Sequence, residues 1–482
     1  MIIELEDVQG KKVPQKLDLP LNTTAKDLNI ILQKIQNQLN KNYSFYYKTY
    51  EIQSSLKELL VEFKAKQITS EEKLVINFVE ESEFDVKPVT RISSSLEGHE
   101  QAVLDVAFAP NNIYLASVSG DKTLRLWDVT TETPYIKLEG HGDWVLGLAW
   151  SPDCTYIATG DNSGVAIIWN ITEICKNRKT IIKCQKDGVN DNLNYKKILK
   201  GHSKFITSIA WRPMHLEYPS CSFVTSSKDN TLRIWNAQMG SCINTCARHT
   251  KSVTKVIWSG EDIIYSASQD CKIMVWSNKG EYLKSLDGHS HWVNALSLNT
   301  YHTLRAAYFE FERDGQPKAC NSNDSKMLAL EVYNKHISAV KREVLVSGSD
   351  DNTVIQWENG KAKKLVGHSA PVNHIQFAPN GILFISASFD KTLRLWGVFN
   401  DNCLGIFRGH IAEVYMLAFS KDSKWVISGS KDSTIQVWSI KDKKRAYQLP
   451  GHADQVYSVD WSPDGLKLAS GGKDRMVRIW KN

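Results

Sequence analysis

Histidine, hydroxyl and carboxylate side chains recur along this chain at a spacing that, taken once, would suit nucleophilic catalysis. The recurring His residues are His99, His141, His202, His249, His289, His368, His410 and His452. The hydroxyls that follow them are Ser117, Thr159, Thr225, Ser266, Ser347, Ser386, Ser428 and Ser470. Four residues beyond the hydroxyl stand Asp121, Asp229, Asp270, Asp351, Asp390, Asp432 and Asp474, with Ser163 in the second repeat. One such set resembles a hydrolase triad, but eight sets in register favour a structural role.

A Trp closes each set, six residues after the Asp position. These residues are Trp127, Trp169, Trp235, Trp276, Trp357, Trp396, Trp438 and Trp480, and the last three intervals are 39, 42 and 42 residues. This period is typical of WD repeats, which fold as four-stranded propeller blades. When buried, the Asp can accept from His and from the turn backbone, while the hydroxyl links His to Trp. The sequence therefore predicts an all-β, eight-bladed WD-repeat β-propeller that is not an enzyme.

The ring needs a closing strand, because only two residues follow Trp480. Residues 88–97 precede the first repeat and have the pattern of an outer strand. We expect this segment to complete the blade that contains Trp480, leaving no open sheet edge.

Two repeats are longer than the rest, with insertions near residues 171–200 and 301–342. Insertions in propellers form loops on the rim or on a face, which is often a binding face. The first insertion carries eight Lys or Arg residues against three acidic ones. It could contact RNA phosphates, or it could be a solvated loop.

Residues 1–86 do not share the repeat period and are predicted to form a separate domain, with the propeller over residues 87–482. Their pattern reads hairpin, helix, strand, short helix and strand, the order of an α+β ubiquitin-like (β-grasp) fold. Thr24 is placed to cap the helix, whose Leu28, Ile31, Leu32, Ile35 and Leu39 fall on one face. The domain continues into the propeller without a terminal Gly-Gly, so conjugation to other proteins is not expected.

Composition excludes several classes of protein. The chain has no signal-peptide pattern and no stretch of eighteen apolar residues, so no membrane association is expected. Nine Cys without paired metal-ligand spacing indicate reduced thiols. Net charge is −3 over residues 1–86 and +9 over the remainder, which suggests different partners for the two parts of a monomer.

One position in each repeat is a candidate for partner binding. Three residues after the repeated His stand Ala102, Trp144, Phe205, Ser252, Trp292, Pro371, Glu413 and Gln455. This position usually lies near one rim of a propeller, where large aromatic residues can anchor an interface. Trp144, Phe205 and Trp292 are therefore candidate partner-binding residues. The alternative is that they pack against adjacent loops.

Beyond the general WD pattern, the chain resembles the Notchless family. The resemblance is carried by VTRISSSLEGH, GHGDWVLGLAWSPD, GHSHWVNALSL, SASFDKTLRLW, GHIAEVYMLAFS and LPGHADQVYSVDWSPDG. It implies a biogenesis factor of the large (60S) ribosomal subunit, located in the nucleolus and nucleoplasm. In that family the propeller rides on pre-60S particles, with ribosomal proteins, assembly factors and rRNA as candidate contacts. The ubiquitin-like domain binds the metal-ion-dependent adhesion site of midasin, an AAA ATPase that remodels the particle.

The resemblance also implies that a Glu of the first domain completes the partner's metal site. The segment ITSEEKLVINF occupies the loop before the last strand and offers Glu71, with Glu72 as the alternative. Mg²⁺ takes six oxygen ligands in octahedral geometry, and a protruding carboxylate can supply one of them. The chain would then need no cofactor of its own, since the partner holds the Mg²⁺. Without the resemblance, a loop Glu is an ordinary solvated residue.

Two other functional classes compete with this interpretation. A WD-repeat signalling or ubiquitin-ligase substrate adaptor would also combine a propeller with a ubiquitin-like domain, but no F-box or similar recruiting segment is evident. A propeller enzyme would need non-repeating polar groups that converge on the channel. The sequence contains no G-x-x-x-x-G-K-[ST] loop, so energy for remodelling has to come from a partner.

Overall fold

The computed structural model describes residues 2–7, 17–20, 23–36, 43–47, 50–52, 74–80, 86–187, 195–306, 309, 325–358, 360–398 and 403–482. Within these residues, one five-stranded sheet precedes eight four-stranded sheets. Glu71, Glu72, Leu39 and the segment expected to form the second short helix lie outside the described residues.

The first sheet is mixed. Its strands are β1 (Ile2–Asp7), β2 (Leu17–Asp18), β3 (Tyr43–Tyr47), β4 (Tyr50–Glu51) and β5 (Leu74–Glu80), in the order β2-β1-β5-β3-β4. The central pair β1 and β5 is parallel, whereas β2, β3 and β4 pair antiparallel with their neighbours. A parallel pair needs a crossover, and helix α1 (Ala25–Gln36) lies in that connection.

Helix α1 begins as the sequence predicts and covers one face of this sheet. Thr24 Oγ1 accepts from the backbone N–H of Asp27, and the Asp27 carboxylate accepts from the N–H of Thr24, which satisfies two free donors of the first turn. Leu28 and Leu32 are buried in one cluster with Leu5 and Ile76. The predicted apolar face is confirmed at these two positions.

The next eight sheets are blades with regular antiparallel pairing. Blade 1 contains β7 (Val103–Phe108), β8 (Tyr114–Ser119), β9 (Thr123–Asp128) and β10 (Thr133–Glu139). Blade 2 contains β11 (Val145–Trp150), β12 (Tyr156–Asp161), β13 (Ala166–Asn170) and β14 (Lys196–Leu199). Blade 3 contains β15 (Ile206–Trp211), β16 (Ser222–Ser227), β17 (Leu232–Asn236) and β18 (Ser241–Cys246). Blade 4 contains β19 (Val253–Trp258), β20 (Ile263–Ser268), β21 (Lys272–Ser277) and β22 (Tyr282–Asp287).

The second half of the ring repeats this arrangement. Blade 5 contains β23 (Val293–Leu298), β24 (Leu345–Ser349), β25 (Thr353–Glu358) and β26 (Lys361–Val366). Blade 6 contains β27 (Val372–Phe377), β28 (Leu383–Ser388), β29 (Thr392–Gly397) and β30 (Cys403–Arg408). Blade 7 contains β31 (Val414–Phe419), β32 (Trp425–Ser430), β33 (Ile435–Ser439) and β34 (Lys444–Leu449). Blade 8 contains β35 (Val456–Trp461), β36 (Lys467–Gly472), β37 (Val477–Lys481) and β6 (Arg91–Leu96).

The ring closes as predicted, with the segment before the first repeat as the outer strand of the last blade. β6 pairs antiparallel with β37, and Leu96 faces Val477. The inner strand β35 of blade 8 packs against β7 of blade 1. Val86 and Val89 are buried in the cluster formed by blades 7 and 8, and the Trp425 Nε1–H donates to the Val86 carbonyl at 2.9 Å. The boundary predicted between residues 86 and 87 stays a prediction.

The two ends of the ring carry different connections. One end, the upper face, has the turns between second and third strands and the links from each outer strand to the next blade. The other end, the lower face, has the remaining connections. Both insertions lie on the lower face, because they join β13 to β14 and β23 to β24. They contain helices α2 (Ile171–Asp187), α3 (Tyr301–Ala306) and α4 (Ser325–Val340).

Candidate functional site

The repeated polar side chains form one buried network in each of the eight blades. Each His Nδ1 lies 2.7–2.9 Å from an Asp carboxylate oxygen, and each His Nε2 lies 2.7–2.9 Å from the Ser or Thr hydroxyl. Each Trp Nε1–H donates to the same hydroxyl at 2.8–2.9 Å. Every member has a partner inside its own blade. The predicted structural network is therefore confirmed.

Blade 2 takes the acid of its network from a different position, because the repeat register places Ser163 at the Asp position. Ser163 does occupy the Asp position, since the residue after it, Gly164, has the positive φ that the residue after Asp has in the other blades. The carboxylate comes from Asp161, at the position where most blades have Ser, and its Oδ2 lies 2.9 Å from His141 Nδ1. Ser163 donates to Asp161 through its hydroxyl at 2.7 Å. Asp and Ser have exchanged places in blade 2. The network is kept because the carboxylate of Asp161 still contacts the ring of His141.

The network also perturbs the titration of its carboxylates. Burial by itself would raise the pKa of Asp432, but hydrogen bonds from His410 and Thr434 and the nearby imidazole outweigh it. The pKa of Asp432 consequently lies below the usual range of an Asp side chain. The ionised form is the one that the folded blade holds.

The three predicted anchor residues lie on the upper face, on blades 2, 3 and 5. Trp144 is 51% exposed and Trp292 is 39% exposed. Phe205 is half-buried, and the Lys228 ammonium lies 4.9 Å from the centre of its ring. In all eight blades the carbonyl at this position accepts from the N–H of the residue that directly follows the second strand of the same blade. The backbone at this position thus makes the same hydrogen bond in every blade, whereas the side chain differs from blade to blade, which suits an interface position.

A second group of apolar side chains on the upper face was not among the predicted residues. The rings of Phe389 and Tyr415 lie 6.3 Å apart, and those of Tyr415 and Tyr457 lie 5.8 Å apart. Ile411 beside them is 79% exposed. These residues belong to blades 6, 7 and 8. Tyr415 and Tyr457 are each the second residue of an inner strand, so a comparison of that position among the repeats would have found them.

Helix α3 of the second insertion lies at the central channel, on the lower face. Inner strands of all eight blades and α3 line a cavity of about 260 Å³, into which Tyr301, Leu304 and Arg305 of α3 project. Arg305 pairs with Asp460 of blade 8 through two guanidinium nitrogens, one of them at 2.8 Å, and donates to the Phe108 carbonyl of blade 1 at 3.2 Å. A segment from blade 5 therefore crosses the channel and joins the two blades at the ring closure.

Helix α4 of the same insertion lies under blades 3 and 4. The Tyr333 ring stacks on His215 at 4.3 Å, and the Lys326 ammonium donates to the Leu216 carbonyl at 3.2 Å. The His336 Nε2–H donates to the Asn299 carbonyl at 3.2 Å, which ties the helix back to its own blade. Helices α3 and α4 of this insertion are therefore an integral part of the lower face.

The described part of the chain contains neither a cluster of metal-ligating side chains nor a helix that could span a membrane. No group of three His, Cys, Asp or Glu side chains there is arranged to hold a metal ion. Free thiols are carried by Cys154, Cys175, Cys221, Cys242, Cys246, Cys271 and Cys403. None of the described helices is both long and apolar enough to cross a lipid bilayer.

Comparison with known proteins identifies relatives of both the repeats and the whole chain. The model of the WD domain, G-beta repeat, matches residues 90–128, 132–170, 193–236, 240–277, 360–397, 401–439 and 443–481. The first three strands of blade 5, which the long insertion interrupts, fall between the fourth and fifth matches. The computationally designed Ika8 protein has a similar fold, with a TM-score of 0.59 and 24% identity over 80% of this chain and 98% of that one.

Similarity to curated proteins extends over most of the chain. Protein Notchless of Drosophila melanogaster is 38% identical over 387 residues, which is 77% of this chain and 73% of the relative. A Notchless protein homolog of Arabidopsis thaliana is 40% identical over 84% of this chain and 81% of its own length. Ribosome assembly protein 4 of Saccharomyces cerevisiae is 38% identical over 72% of this chain and 65% of its own length.

Proposed function

Because the chain belongs to the Notchless family of WD-repeat proteins, we propose that it is an assembly factor of the large ribosomal subunit. The observation that carries this proposal is the similarity to yeast Ribosome assembly protein 4 over 72% of the chain. The propeller binds the pre-60S particle, and the chain resides in the nucleolus and nucleoplasm, where such particles form. It acts as a scaffold and not as an enzyme.

The first domain is a ubiquitin-like module that contacts the ATPase. Its sheet order β2-β1-β5-β3-β4, its parallel central pair and its crossover helix support a β-grasp fold. This module binds the metal-ion-dependent adhesion site of midasin through Glu71, which completes the coordination of a Mg²⁺ ion held by the partner. Hydrolysis of ATP by midasin then supplies the work of particle remodelling.

The architecture of the propeller supports a scaffold role. Eight His, Ser or Thr, Asp and Trp networks use the most reactive-looking side chains of the repeats for internal hydrogen bonds. Side chains on the upper face differ from blade to blade, which gives the ring a surface that can be specific for a partner. The exposed Trp144 and Trp292 are the strongest candidates for anchors there.

Affinity purification from the source cells tests the proposal. The tagged full chain should co-purify with precursors of large-subunit rRNA and with midasin, and a tagged unrelated WD-repeat protein should not. Precursor RNA is quantified by hybridisation with probes for both subunits, and proteins are quantified by mass spectrometry. Recovery of ubiquitin-ligase subunits without precursor rRNA would overturn the proposal and favour a substrate adaptor.

A further inference from the structure

The first insertion forms a helix whose exposed side carries lysines. In α2 the exposed side chains up to residue 183 are Thr172, Lys176, Lys179, Thr180 and Lys183. Their spacing of three and four residues places them on one side of a helix, although the backbone departs from helical geometry at Asn177. Residues 171–183 of the first insertion are thus an ordered basic surface and not a solvated loop.

The opposite side of α2 is anchored to the propeller. Ile174 and Ile181 are fully buried in the cluster between blades 1 and 2. The Arg178 guanidinium lies over the Tyr135 ring at 4.2 Å, and its Nε–H donates to the Tyr135 carbonyl at 2.9 Å. Because these contacts fix the helix, the lysines are held at a constant position on the lower face.

Little negative charge compensates the lysines. Glu173 pairs with Lys176 at 3.3 Å, but both side chains are largely exposed, and such pairs contribute little. Among the described residues, no ion pair or hydrogen bond involves the ammonium group of Lys179 or Lys183. Lys196 and Lys197 begin the neighbouring strand β14, beside the end of β13. The lower face of blade 2 therefore presents a concentration of positive charge.

We propose that the exposed side of α2 binds the phosphate backbone of RNA. Ile171, Ile174 and Ile181 are buried, so Lys and Thr are the residues that the exposed side of the helix up to residue 183 offers to a partner. Lysine is depleted at protein–protein interfaces, which instead need apolar or aromatic anchors. A line of ammonium groups suits a polymer of phosphates, which Lys binds as a point charge. This inference depends on the proposed function in one respect only, the source of the RNA, which would be a precursor of large-subunit rRNA.

A binding titration with charge reversals tests this surface. The full chain and a variant with Lys176→Glu, Lys179→Glu and Lys183→Glu are titrated into a fluorescein-labelled RNA hairpin of 20 base pairs. We expect the variant to bind at least about tenfold more weakly and the dependence of log affinity on log salt to fall by about 2–3, as for three lost phosphate contacts. The matched control reverses Lys441, Lys443 and Lys444, which are exposed at the lower face of blade 7. It changes net charge equally and should bind as the unmodified chain does.

The possible outcomes separate this proposal from the proposed function. Equal weakening by both variants would show that net charge alone drives binding and would overturn the proposal. Competition by polyglutamate as effective as that by unlabelled RNA would also overturn it, in favour of an acidic protein partner. If the α2 variant loses the hairpin but the unmodified chain recovers no precursor rRNA from cells, the surface stands and the assembly function fails. If precursor rRNA is recovered and the variant binds the hairpin normally, the assembly function stands and this surface fails.

Discussion

A single carboxylate holds together two connections of each blade. Asp432 accepts from His410 Nδ1 at 2.8 Å and from the Ile411 N–H at 3.0 Å, both in the link between blades. It also accepts from the N–H and hydroxyl of Thr434 at 3.0 and 2.6 Å, in the turn between strands. Loss of this side chain would leave several donors without an acceptor. The network therefore stabilises both the blade and its junction with the preceding one.

The change Asp432→Ala should lower the free energy of unfolding by about 1–3 kcal/mol, the cost of leaving buried donors unsatisfied. Denaturant unfolding of the full chain, followed by Trp fluorescence, measures the effect. Asp287→Ala is the control, because Asp287 is 60% exposed and pairs with Lys272 only at 3.6 Å. If Asp432→Ala changed the unfolding midpoint no more than Asp287→Ala does, the result would contradict the proposed role of the network.

The lowered pKa of Asp432 predicts how stability responds to acid. A carboxyl group whose pKa is lower in the folded than in the unfolded state stabilises the fold at pH values above its unfolded pKa of about 4. This stabilisation is lost as the pH falls through the folded pKa. Unfolding free energy should therefore decrease below about pH 4. Asp432→Asn should reduce the slope of unfolding free energy against pH, because the variant takes up one proton fewer on unfolding. A slope identical in the two proteins, measured by denaturant titrations between neutral and acidic pH, would show that Asp432 does not contribute.

Glu71 remains a prediction, since it lies outside the described residues. If it ligates Mg²⁺ held by midasin, Glu71→Ala and Glu71→Gln should weaken binding because they remove the anionic oxygen. Glu71→Asp should also weaken it, because it withdraws the oxygen by about 1.5 Å from an ion that requires ligands at about 2.0–2.1 Å. Binding of the full chain to midasin's adhesion domain is measured with Mg²⁺ and with chelator. Loss of binding only in Glu72→Ala would move the ligand by one residue, and binding that is indifferent to chelator would exclude this mechanism.

At the scale of strands and turns, the upper face separates structural from variable groups. The Trp144 carbonyl accepts from the Asn162 N–H at 2.9 Å and the Phe205 carbonyl accepts from the Lys228 N–H at 3.0 Å. Both bonds belong to the backbone and survive replacement of the side chain. These backbone contacts do not depend on the aromatic rings, and the Trp144 ring, which is 51% exposed, is available to a partner.

Replacing Trp144 and Phe205 together with Ala should weaken association with pre-60S particles while changing unfolding free energy by less than about 1 kcal/mol, as is usual for surface sites. Co-sedimentation with purified particles measures association, and thermal unfolding measures stability. Tyr457→Ala serves as a comparison for the group on blades 6, 7 and 8. Equal losses of association and stability would instead indicate that the two rings pack against neighbouring loops.

The repeat register was sufficient to predict the blades, their networks and the strand that closes the ring, because these features depend on short, fixed spacings. Other features escaped it for identifiable reasons. The role of Asp161 was missed because counting back from Trp169 selects Ser163. Helix α2 was not predicted, because the many lysines of residues 171–200 indicated a solvated loop although Ile174 and Ile181 lie on the buried side of the helix. The contact between Arg305 and Asp460 joins residues 155 positions apart, and no local pattern encodes such a pairing.

At the scale of the whole molecule, the first domain is connected to the ring at its point of closure. Val86 and Val89 are buried against blades 7 and 8, and β6 follows at once as the outer strand of blade 8. A force applied to the first domain would therefore reach the ring at the blade whose strands come from both ends of the sequence. Additional contacts between blade 8 and the rest of the ring would therefore stabilise the ring closure.

Arg305 provides one of these connections, because it extends from blade 5 across the channel to Asp460 of blade 8 and the Phe108 carbonyl of blade 1. The side chain of Asp460 is 8% exposed and that of Arg305 22%, so the pair is largely buried. Removing one member of a fully buried pair costs about 3–5 kcal/mol. We expect Arg305→Ala to cost about 2–4 kcal/mol, since partial exposure reduces the penalty.

Denaturant unfolding of Arg305→Ala, Asp460→Ala and the double variant tests this brace. The double variant should be more stable than the sum of the single effects implies, because removing Arg305 costs little once its partner is gone. Lys272→Ala, which removes an exposed pair, is the control for lost positive charge. Limited proteolysis should cut the Arg305→Ala insertion faster than the unmodified one, since α3 loses its attachment to blades 8 and 1. Additive effects of the two substitutions, together with unchanged proteolysis, would mean that the channel helix contributes nothing to ring closure.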